Sequence, residues 1–259
     1  MNTNIIYNLR YLIYNLLGFI SFILRKIILF LYNISSKNNK ITNKIAVCGR
    51  GVSSNKFFNS DYKIHDKVYL SNYSNEDLNL TDYIKLLEKN VVIVANVSEP
   101  SPNIILFFLI KVNEVIISRP SYLVRRTKKE RSRKSFKLNL LGVKVRGLSN
   151  ATDLDKYPCT LDNTGILSIY EAAIYASENS INKIYLYGFE FYSNPYNKKS
   201  LLRNDCNSPE QYKEFQADNK RLSKNLDYLA SLYPKILFVN NSLNKYKFKS
   251  KNIKTIFYQ

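Results

Sequence analysis

The chain has 259 residues, 45% of them hydrophobic, so it is long enough to bury a substantial core and too apolar to be disordered by composition. Its formal net charge of +19 is concentrated in residues 1–40, 119–146 and 245–254, which leaves the remainder close to neutral. Because the charge is clustered, and the basic run at 125–134 contains no aromatic residue, we expect no nucleic-acid partner.

Residues 1–34 are rich in Leu, Ile and Phe, yet Arg25 and Lys26 interrupt the apolar segment. At helical spacing Asn8, Asn15 and Lys26 fall on one side, and leucines and isoleucines cover the opposite side. A charge at a bilayer centre is costly, whereas a helix lying in the interface keeps its polar side in water. We therefore expect an in-plane membrane helix. A signal-anchor span and a helix packed on the protein's own core are the alternatives.

A polar linker, residues 35–43, precedes a short apolar strand that runs into Gly49, Arg50 and Gly51. Glycines directly after a first strand let the backbone approach a ligand phosphate closely. The third glycine of the dinucleotide fingerprint is missing, which argues against NAD. We expect these three residues to bind an anionic donor, and a tight structural turn is the alternative.

Two further strands, predicted at residues 66–70 and 91–95, are each followed by an asparagine, Asn72 and Asn96, with a helix at 78–88 between them. An asparagine side chain both donates and accepts hydrogen bonds, which suits ribose, phosphate and base edges. We expect both residues to contact the donor. Turn formation is the alternative for each.

Apolar alternation continues at residues 104–110 and 114–118, and a basic segment follows. We interpret residues 119–146 as a basic lid or insert. It would close over an anionic donor, bind an acidic glycan or contact anionic lipid headgroups, and a solvated charge run is the alternative.

A helix is predicted to start near Gly165, with Asn163 or Thr164 supplying the oxygen that caps it. The amide groups of a first helical turn and the positive end of the helix dipole suit a phosphate. We therefore expect Asn163, Thr164 and Gly165 to contribute to donor binding.

The next strand, predicted at residues 183–187, is followed by three polar or aromatic residues that are candidates for catalysis: Glu190, Tyr192 and Tyr196. Open α/β sheets place ligand groups beyond the carboxyl ends of their strands. A long helix from Ser208 or Pro209, a last strand at 235–239 and a basic tail at 245–259 complete the chain. The alternation predicts one Rossmann-like α/β domain over 44–244, with a mostly parallel sheet and helices on both faces.

Two parts of the sequence resemble a known family. The runs TGILSIYEAAIYA and KIYLYGFEFY are similar to the second signature of animal-type sialyltransferases and to the matching segment of bacterial lipooligosaccharide sialyltransferases. Upstream, IAVCGRGVSS, VYLSNY and VVIVANVSEP stand in the order and spacing of the family's first signature. The matches cover residues 44–100 and 160–196.

This resemblance implies a sialyltransferase-type GT-A variant of the Rossmann-like fold, which uses a CMP-activated sugar as co-substrate and needs no metal or other cofactor. In the family, residues matching Arg50, Asn72 and Asn96 contact the nucleotide sugar, although Arg50 replaces an asparagine. Tyr192 matches one of two tyrosines that hydrogen-bond the leaving phosphate in the bacterial enzymes, and Tyr196 matches the other approximately.

The family's general base is a histidine, and by resemblance it would fall near residues 211–220. This chain has one histidine, His65, which is in the wrong place for that role. We expect His65 to lie on the surface or to cap a turn. The carboxylates Glu214 and Asp218, with Glu190 beyond the strand, are the candidates to replace it.

The sequence therefore predicts an inverting, metal-independent glycosyltransferase that transfers sialic acid, or a related acid such as Kdo, from CMP to a glycan or glycolipid acceptor. A catalytically inactive nucleotide-sugar-binding or membrane-associated scaffold protein of the same fold is the alternative. The expected location is a membrane surface, on the cytoplasmic face of the inner membrane in a bacterium or in the Golgi lumen in a eukaryote. Homo-oligomerisation is left open.

Overall fold

The structure is a computed structural model. It describes four separate residues of the amino-terminal segment, Leu16, Ile20, Ile23 and Ile27, and then residues 43–51, 53–71, 73, 78–86, 89–95, 112–117, 144–148, 163–189, 209–243 and 246–258.

One eight-stranded sheet organises this part of the chain, and its strands are ordered β5-β4-β3-β2-β1-β6-β7-β8. All seven neighbouring pairs are parallel. The strands are β1 (Ile45–Cys48), β2 (Lys67–Ser71), β3 (Asn90–Ala95), β4 (Val112–Ile117), β5 (Lys144–Gly147), β6 (Lys183–Tyr187), β7 (Leu237–Ser242) and β8 (Ile253–Phe257). The helices are α1 (Ser54–Asn59), α2 (Leu80–Leu86), α3 (Thr164–Glu178) and α4 (Pro209–Leu232), with a 3₁₀ turn at Asp61–Ile64.

Helices cover both faces of the sheet, as the alternation predicted. On one face Phe57 and Phe58 of α1 and Leu86 of α2 pack against alternate residues of the central strands. On the other face α3 and α4 pack against the remaining alternate residues, with Leu167 and Leu226 among the buried contacts. Strands buried on both sides read as continuous apolar runs, which is why β1, β3 and β6 were predicted close to their observed limits.

Three elements at the periphery were missed. The prediction that the strand near residue 239 is the last one is wrong, because β8 pairs with β7 inside the segment interpreted as a basic tail. β5 lies within the segment interpreted as a basic lid and pairs with β4. The short helix α1 was not predicted at all. β8 is an edge strand with mostly exposed side chains, so it lacks the apolar alternation on which strand prediction depends.

The four described residues of the amino-terminal segment are helical, and their side chains are exposed. Among the described residues, no helix is both long and apolar enough to cross a bilayer.

A group of ion pairs connects the β4 and β5 edge to α3. The Arg146 guanidinium on β5 contacts Glu114 of β4 through Nε at 2.7 Å and Glu171 of α3 through Nη2 at 2.8 Å. Glu171 is almost completely buried, whereas Lys144, which also pairs with Glu114, has a side chain that is 71% exposed. Arg146 therefore neutralises a carboxylate that water cannot reach.

We expect Arg146→Met to lower the free energy of unfolding by about 3 kcal/mol, because it leaves the Glu171 carboxylate buried without its ion pair. Lys144→Met is the matched control, since it removes a basic residue from the same strand and a partner of the same Glu114. An exposed pair contributes less than about 1 kcal/mol, so this variant should unfold close to the wild type in urea titrations. Equal losses in the two variants would contradict the structural role of Arg146.

Candidate functional site

The candidate site lies where the order of the strands reverses. From β1 the chain adds β2 to β5 on one side of the sheet, and β6 to β8 on the other, so β1 and β6 are neighbours at the reversal. In open α/β sheets the ligand crevice lies beyond the carboxyl ends of the strands at such a point. Here those ends are followed by Gly49–Gly51 and by Gly188 and Phe189.

The turns after β1 and β6 are hydrogen-bonded to each other. The Gly49 amide donates to the Tyr187 carbonyl at 2.7 Å, and the Gly51 amide donates to the Gly188 carbonyl at 3.0 Å. The Gly188 amide donates to the Ser53 hydroxyl at 2.8 Å. Both glycine amides of the first turn are thus occupied within the protein. This contact gives the glycines the structural turn role that was the alternative to donor binding.

A side chain at either turn would collide with the opposite turn. Gly188 has a φ of +71°, a backbone conformation that favours glycine, and a Cβ there would overlap the Gly49 carbonyl. A Cβ at Gly49 would lie 2.7 Å from the Gly188 oxygen. The close contact between the two turns therefore requires glycine at both positions.

The ring of Phe189 lies beside both the turn after β1 and the start of α3. A Cβ at Gly165 would lie 2.9 Å from the Phe189 ring, and a Cβ at Gly49 would lie 3.3 Å from it. The ring therefore lies between the turn after β1 and the first turn of α3. The predicted residues Gly49 and Gly165, more than 100 positions apart in sequence, are brought together around one aromatic side chain.

The predicted helix cap is confirmed. Asn163 has extended backbone angles, and its side-chain oxygen accepts a hydrogen bond from the Gly165 amide at 2.7 Å. Thr164 is the first residue of α3 and is buried. The side-chain oxygen of Asn163 therefore already stabilises the helix, while the positive end of the α3 dipole faces the crevice edge of the sheet.

We expect Gly188→Ala to destabilise the fold by about 2 kcal/mol or more, because alanine disfavours a positive φ and its Cβ would force the two turns apart. Gly147→Ala is the matched control, since a Cβ at Gly147 meets no atom within 4 Å. Thermal unfolding of both variants would test the claim. If Gly188→Ala unfolded at the temperature of Gly147→Ala, the contact between the turns would not be essential.

Arg50 lies in the turn after β1 and is partly exposed. Asn72 and Asn96 directly follow the ends of β2 and β3 and lie outside the described residues, as do Glu190, Tyr192 and Tyr196 beyond β6. Glu214 and Asp218 belong to α4, and their side chains lie outside the described part. The strand ends that precede these asparagines are at the same edge of the sheet as Gly49, because all the strands are parallel.

A polar network that sequence reasoning missed lies on the α1 face of the sheet. Tyr187 donates its hydroxyl proton to Asp61 at 2.9 Å, so its oxygen accepts from Nε2–H of His65 at 3.0 Å. Lys56 reaches Asp61 at 2.9 Å and Asn241 at 3.1 Å. His65 does cap a turn, since its backbone amide donates to the Tyr62 carbonyl at 3.4 Å at the end of the 3₁₀ turn. The expectation of a surface position is wrong, because His65 is fully buried. An apolar pocket of aromatic rings, Phe57 and Tyr185 among them, surrounds it.

The charges of this network follow from burial. Burial lowers the pKa of His65 from 6.5 to about 3, so the imidazole is neutral in the folded protein. Burial alone would raise the pKa of Asp61, but hydrogen bonds from Ser60, Lys56 and Tyr187 and the charge of Lys56 lower it overall. His65 is thus neutral, and its burial keeps it from contacting an acceptor hydroxyl.

We expect His65 to make folding stability depend on pH. The unfolded chain takes up a proton near the ordinary pKa of 6.5, whereas the folded protein does so only near 3. The contribution of His65 to the free energy of unfolding is therefore fully present above pH 6.5. It is lost as the pH falls from 6.5 towards 3, by at most about 1.4 kcal/mol per pH unit. His65→Phe should remove about 2 kcal/mol of the difference in unfolding free energy between pH 6.5 and 4.5.

Urea titrations at several pH values measure this difference, and they remain informative if His65→Phe is less stable at every pH. Titration of Asp61 contributes little between pH 6.5 and 4.5, because its pKa is lowered from its ordinary value of 3.8 and lies below that interval. Parallel curves would show that His65 does not titrate differently in the two states.

The carboxyl-terminal part of the chain also contributes residues to the surroundings of the site. The Tyr258 hydroxyl donates to the Ser53 carbonyl at 2.8 Å, next to the hydroxyl that accepts from Gly188. On β7, Asn240 is completely buried, and none of the described residues offers its amide a hydrogen bond. Buried polar groups of this kind usually have a partner such as water or a ligand. A sequence signal existed, since Asn240, Asn241 and Ser242 put three polar residues into an otherwise apolar strand.

Within the described ranges no group of His, Cys, Asp and Glu side chains is arranged to hold a metal ion. Cys48 is a free, buried thiol whose pKa is raised well above its usual range by burial, so it is not a reactive nucleophile. No protein-family model matches the sequence, and searches of curated proteins and of solved structures found no match.

Proposed function

We propose that the protein binds a CMP-activated acidic sugar, sialic acid or a relative such as Kdo, and transfers it to a glycan or glycolipid acceptor. The observation that best supports this is the meeting of the β1 turn, the β6 turn and the start of α3 at the reversal of strand order. The runs that resemble the two sialyltransferase signatures include β1, most of β2 and β3, most of α3, β6 and the residues that follow these strands. Donor binding at this edge accounts for the resemblance and the topology together.

The donor's phosphate would be bound by positive potential rather than by a glycine loop. The amides of Gly49 and Gly51 donate to the β6 turn, so they are occupied. The Arg50 guanidinium in the same turn and the positive end of the α3 dipole both contribute positive potential at this edge. Asn72 and Asn96, which follow the neighbouring strands, are proposed for ribose, base and sugar contacts.

In the proposed reaction the oxygen of an acceptor hydroxyl attacks the anomeric carbon on the face opposite the phosphate. The new glycosidic bond forms as the bond between the anomeric carbon and the phosphate oxygen breaks, which inverts the configuration. The electron pair leaves with CMP, whose charge Tyr192 and Tyr196 would stabilise by donating hydrogen bonds. The hydroxyl proton passes to a carboxylate, for which Glu190, Glu214 and Asp218 are the candidates.

A second candidate function is supported by the burial of His65. The resembled family deprotonates its acceptor with a histidine, and the one histidine of this chain is enclosed in an aromatic pocket. Without a carboxylate in its place, the same crevice would bind a nucleotide sugar and not transfer it. The second candidate is therefore a nucleotide-sugar-binding protein of this fold.

Calorimetric titration of the full chain with CMP, CDP and UDP tests the binding step. We expect CMP to bind selectively, and Arg50→Ala to weaken binding about tenfold or more, because a hydrogen bond to a charged group contributes about 1.5–3 kcal/mol. Lys63→Ala is the matched control, since Lys63 is an exposed cation that precedes β2 at the opposite edge of the sheet.

Absence of CMP binding, or equal binding of UDP, would contradict the proposal. Release of CMP from CMP-sialic acid in the presence of an acceptor then separates the two functions. Loss of this release in Glu190→Gln or Asp218→Asn, with CMP affinity retained, would identify the carboxylate that acts as base. Binding with no release would favour the second candidate.

A further inference from the structure

The four described residues of the amino-terminal segment form a continuous apolar stripe. Leu16, Ile20, Ile23 and Ile27 are helical and follow one another at intervals of four, three and four residues, which places them on one face of the helix. Their exposed fractions are 61%, 45%, 41% and 48%. The core residues of the sheet, by contrast, are at most 8% exposed. The described domain therefore does not cover this stripe.

The sequence around the stripe predicts a broad apolar face. At helical spacing, leucine, isoleucine and phenylalanine occupy every position between 9 and 31 that falls within about 80° of the centre of the stripe. Asn15, Gly18 and Arg25 fall on the opposite side together with the apolar residues Phe22, Ile28 and Leu29, and Asn8 falls at the border. An apolar sector of about 160° is wider than the narrow seam through which two helices pair in a coiled coil. The pattern thus favours an extended apolar medium over a second copy of the chain.

The charges indicate what kind of medium this is. Residues 1–40 contain five basic residues and no acidic one, namely Arg10, Arg25, Lys26, Lys37 and Lys40. Basic residues beside an amphipathic helix add attraction to a membrane that contains anionic lipids. An apolar face combined with charges that are all basic is complementary to such a membrane in both respects.

The spacing of the charges decides between lying on the membrane and crossing it. The longest run without charge in this segment is residues 11–24, which is 14 residues and contains three of the four stripe residues, while Ile27 follows the charged pair. A spanning helix needs about 20 predominantly apolar residues. With Arg25 and Lys26 directly after that run, a spanning orientation would place two charges inside the bilayer, whereas an in-plane orientation leaves both at the headgroups.

We propose that residues 9–31 bind in the plane of an anionic bilayer surface. Leu16, Ile20, Ile23 and Ile27 enter the acyl region, and Arg25 and Lys26 contact the headgroups. This membrane contact is independent of the proposed transfer reaction. It would hold the sheet domain beside lipid-linked acceptors if that reaction takes place.

The absence of tryptophan from the chain makes a direct test available, because any single tryptophan introduced is the only one. Ile20→Trp and Ile23→Trp place the probe on the stripe, and Asn15→Trp and Gly18→Trp place it on the opposite side as matched controls. Each full-length variant is mixed with vesicles of phosphatidylcholine alone or with one quarter phosphatidylglycerol. Lipids brominated in the acyl chains then report the contact by quenching.

We expect strong quenching and a blue shift at positions 20 and 23, weak quenching at 15 and 18, and at least about tenfold tighter binding to the anionic vesicles. Similar quenching on both sides of the helix would overturn the in-plane orientation in favour of a span. A concentration-dependent blue shift without vesicles, and no quenching with them, would identify a second copy as the partner.

An independent variant guards against local effects of tryptophan. The double substitution Ile20→Ser and Ile23→Ser should reduce partitioning into anionic vesicles about tenfold or more, and Asn15→Ser should leave it unchanged. These substitutions lie outside the described sheet domain, so its thermal unfolding should be the same in all of them. Unchanged partitioning of the double variant would also overturn the proposal.

Discussion

The contact between the turns after β1 and β6 is the constraint on which the candidate site depends. The segments that follow two neighbouring parallel strands leave the same edge of the sheet side by side. Here the turns after β1 and β6 meet backbone to backbone. That approach is possible because neither Gly49 nor Gly188 has a side chain. The same contact positions Phe189 against Gly165, so the start of α3 is held at the edge where ligands bind in folds of this class.

Polar interactions beneath this contact are distributed over distant parts of the chain. Tyr187 extends from the last position of β6 to Asp61 and His65, and Lys56 connects Asp61 to Asn241 of β7. Each charged or polar group except Nδ1 of His65 has a partner among the described members of this network. Since a network in which nearly every group is paired tolerates few alternative arrangements, it stabilises one geometry of the strand ends.

Prediction from sequence succeeded for strands that are buried on both faces and for contacts between residues close together in the sequence. The strands β1, β3 and β6 are apolar on both faces, and Asn163 caps α3 through a bond to a residue two positions away, so both signals are contained in short runs of sequence. The edge strands β5 and β8 were missed because one side of each faces solvent, and their basic residues were interpreted as a lid and a tail. Arg146 shows the error clearly, since its charge is matched by Glu171 from a helix 25 positions later.

The sequence by itself determined the α/β fold class, the alternation of strands and helices that makes the sheet parallel, and the residue types that follow each strand. These features depend on periodicity and local capping. Only the tertiary structure decided which strand ends are neighbours, and hence that Gly49 contacts Gly188 and that Gly49 and Gly165 lie against one aromatic ring. It also decided that His65 is buried and neutral, although charged residues surround it in sequence. Both outcomes depend on contacts between segments more than 100 positions apart, whose geometry no local pattern contains.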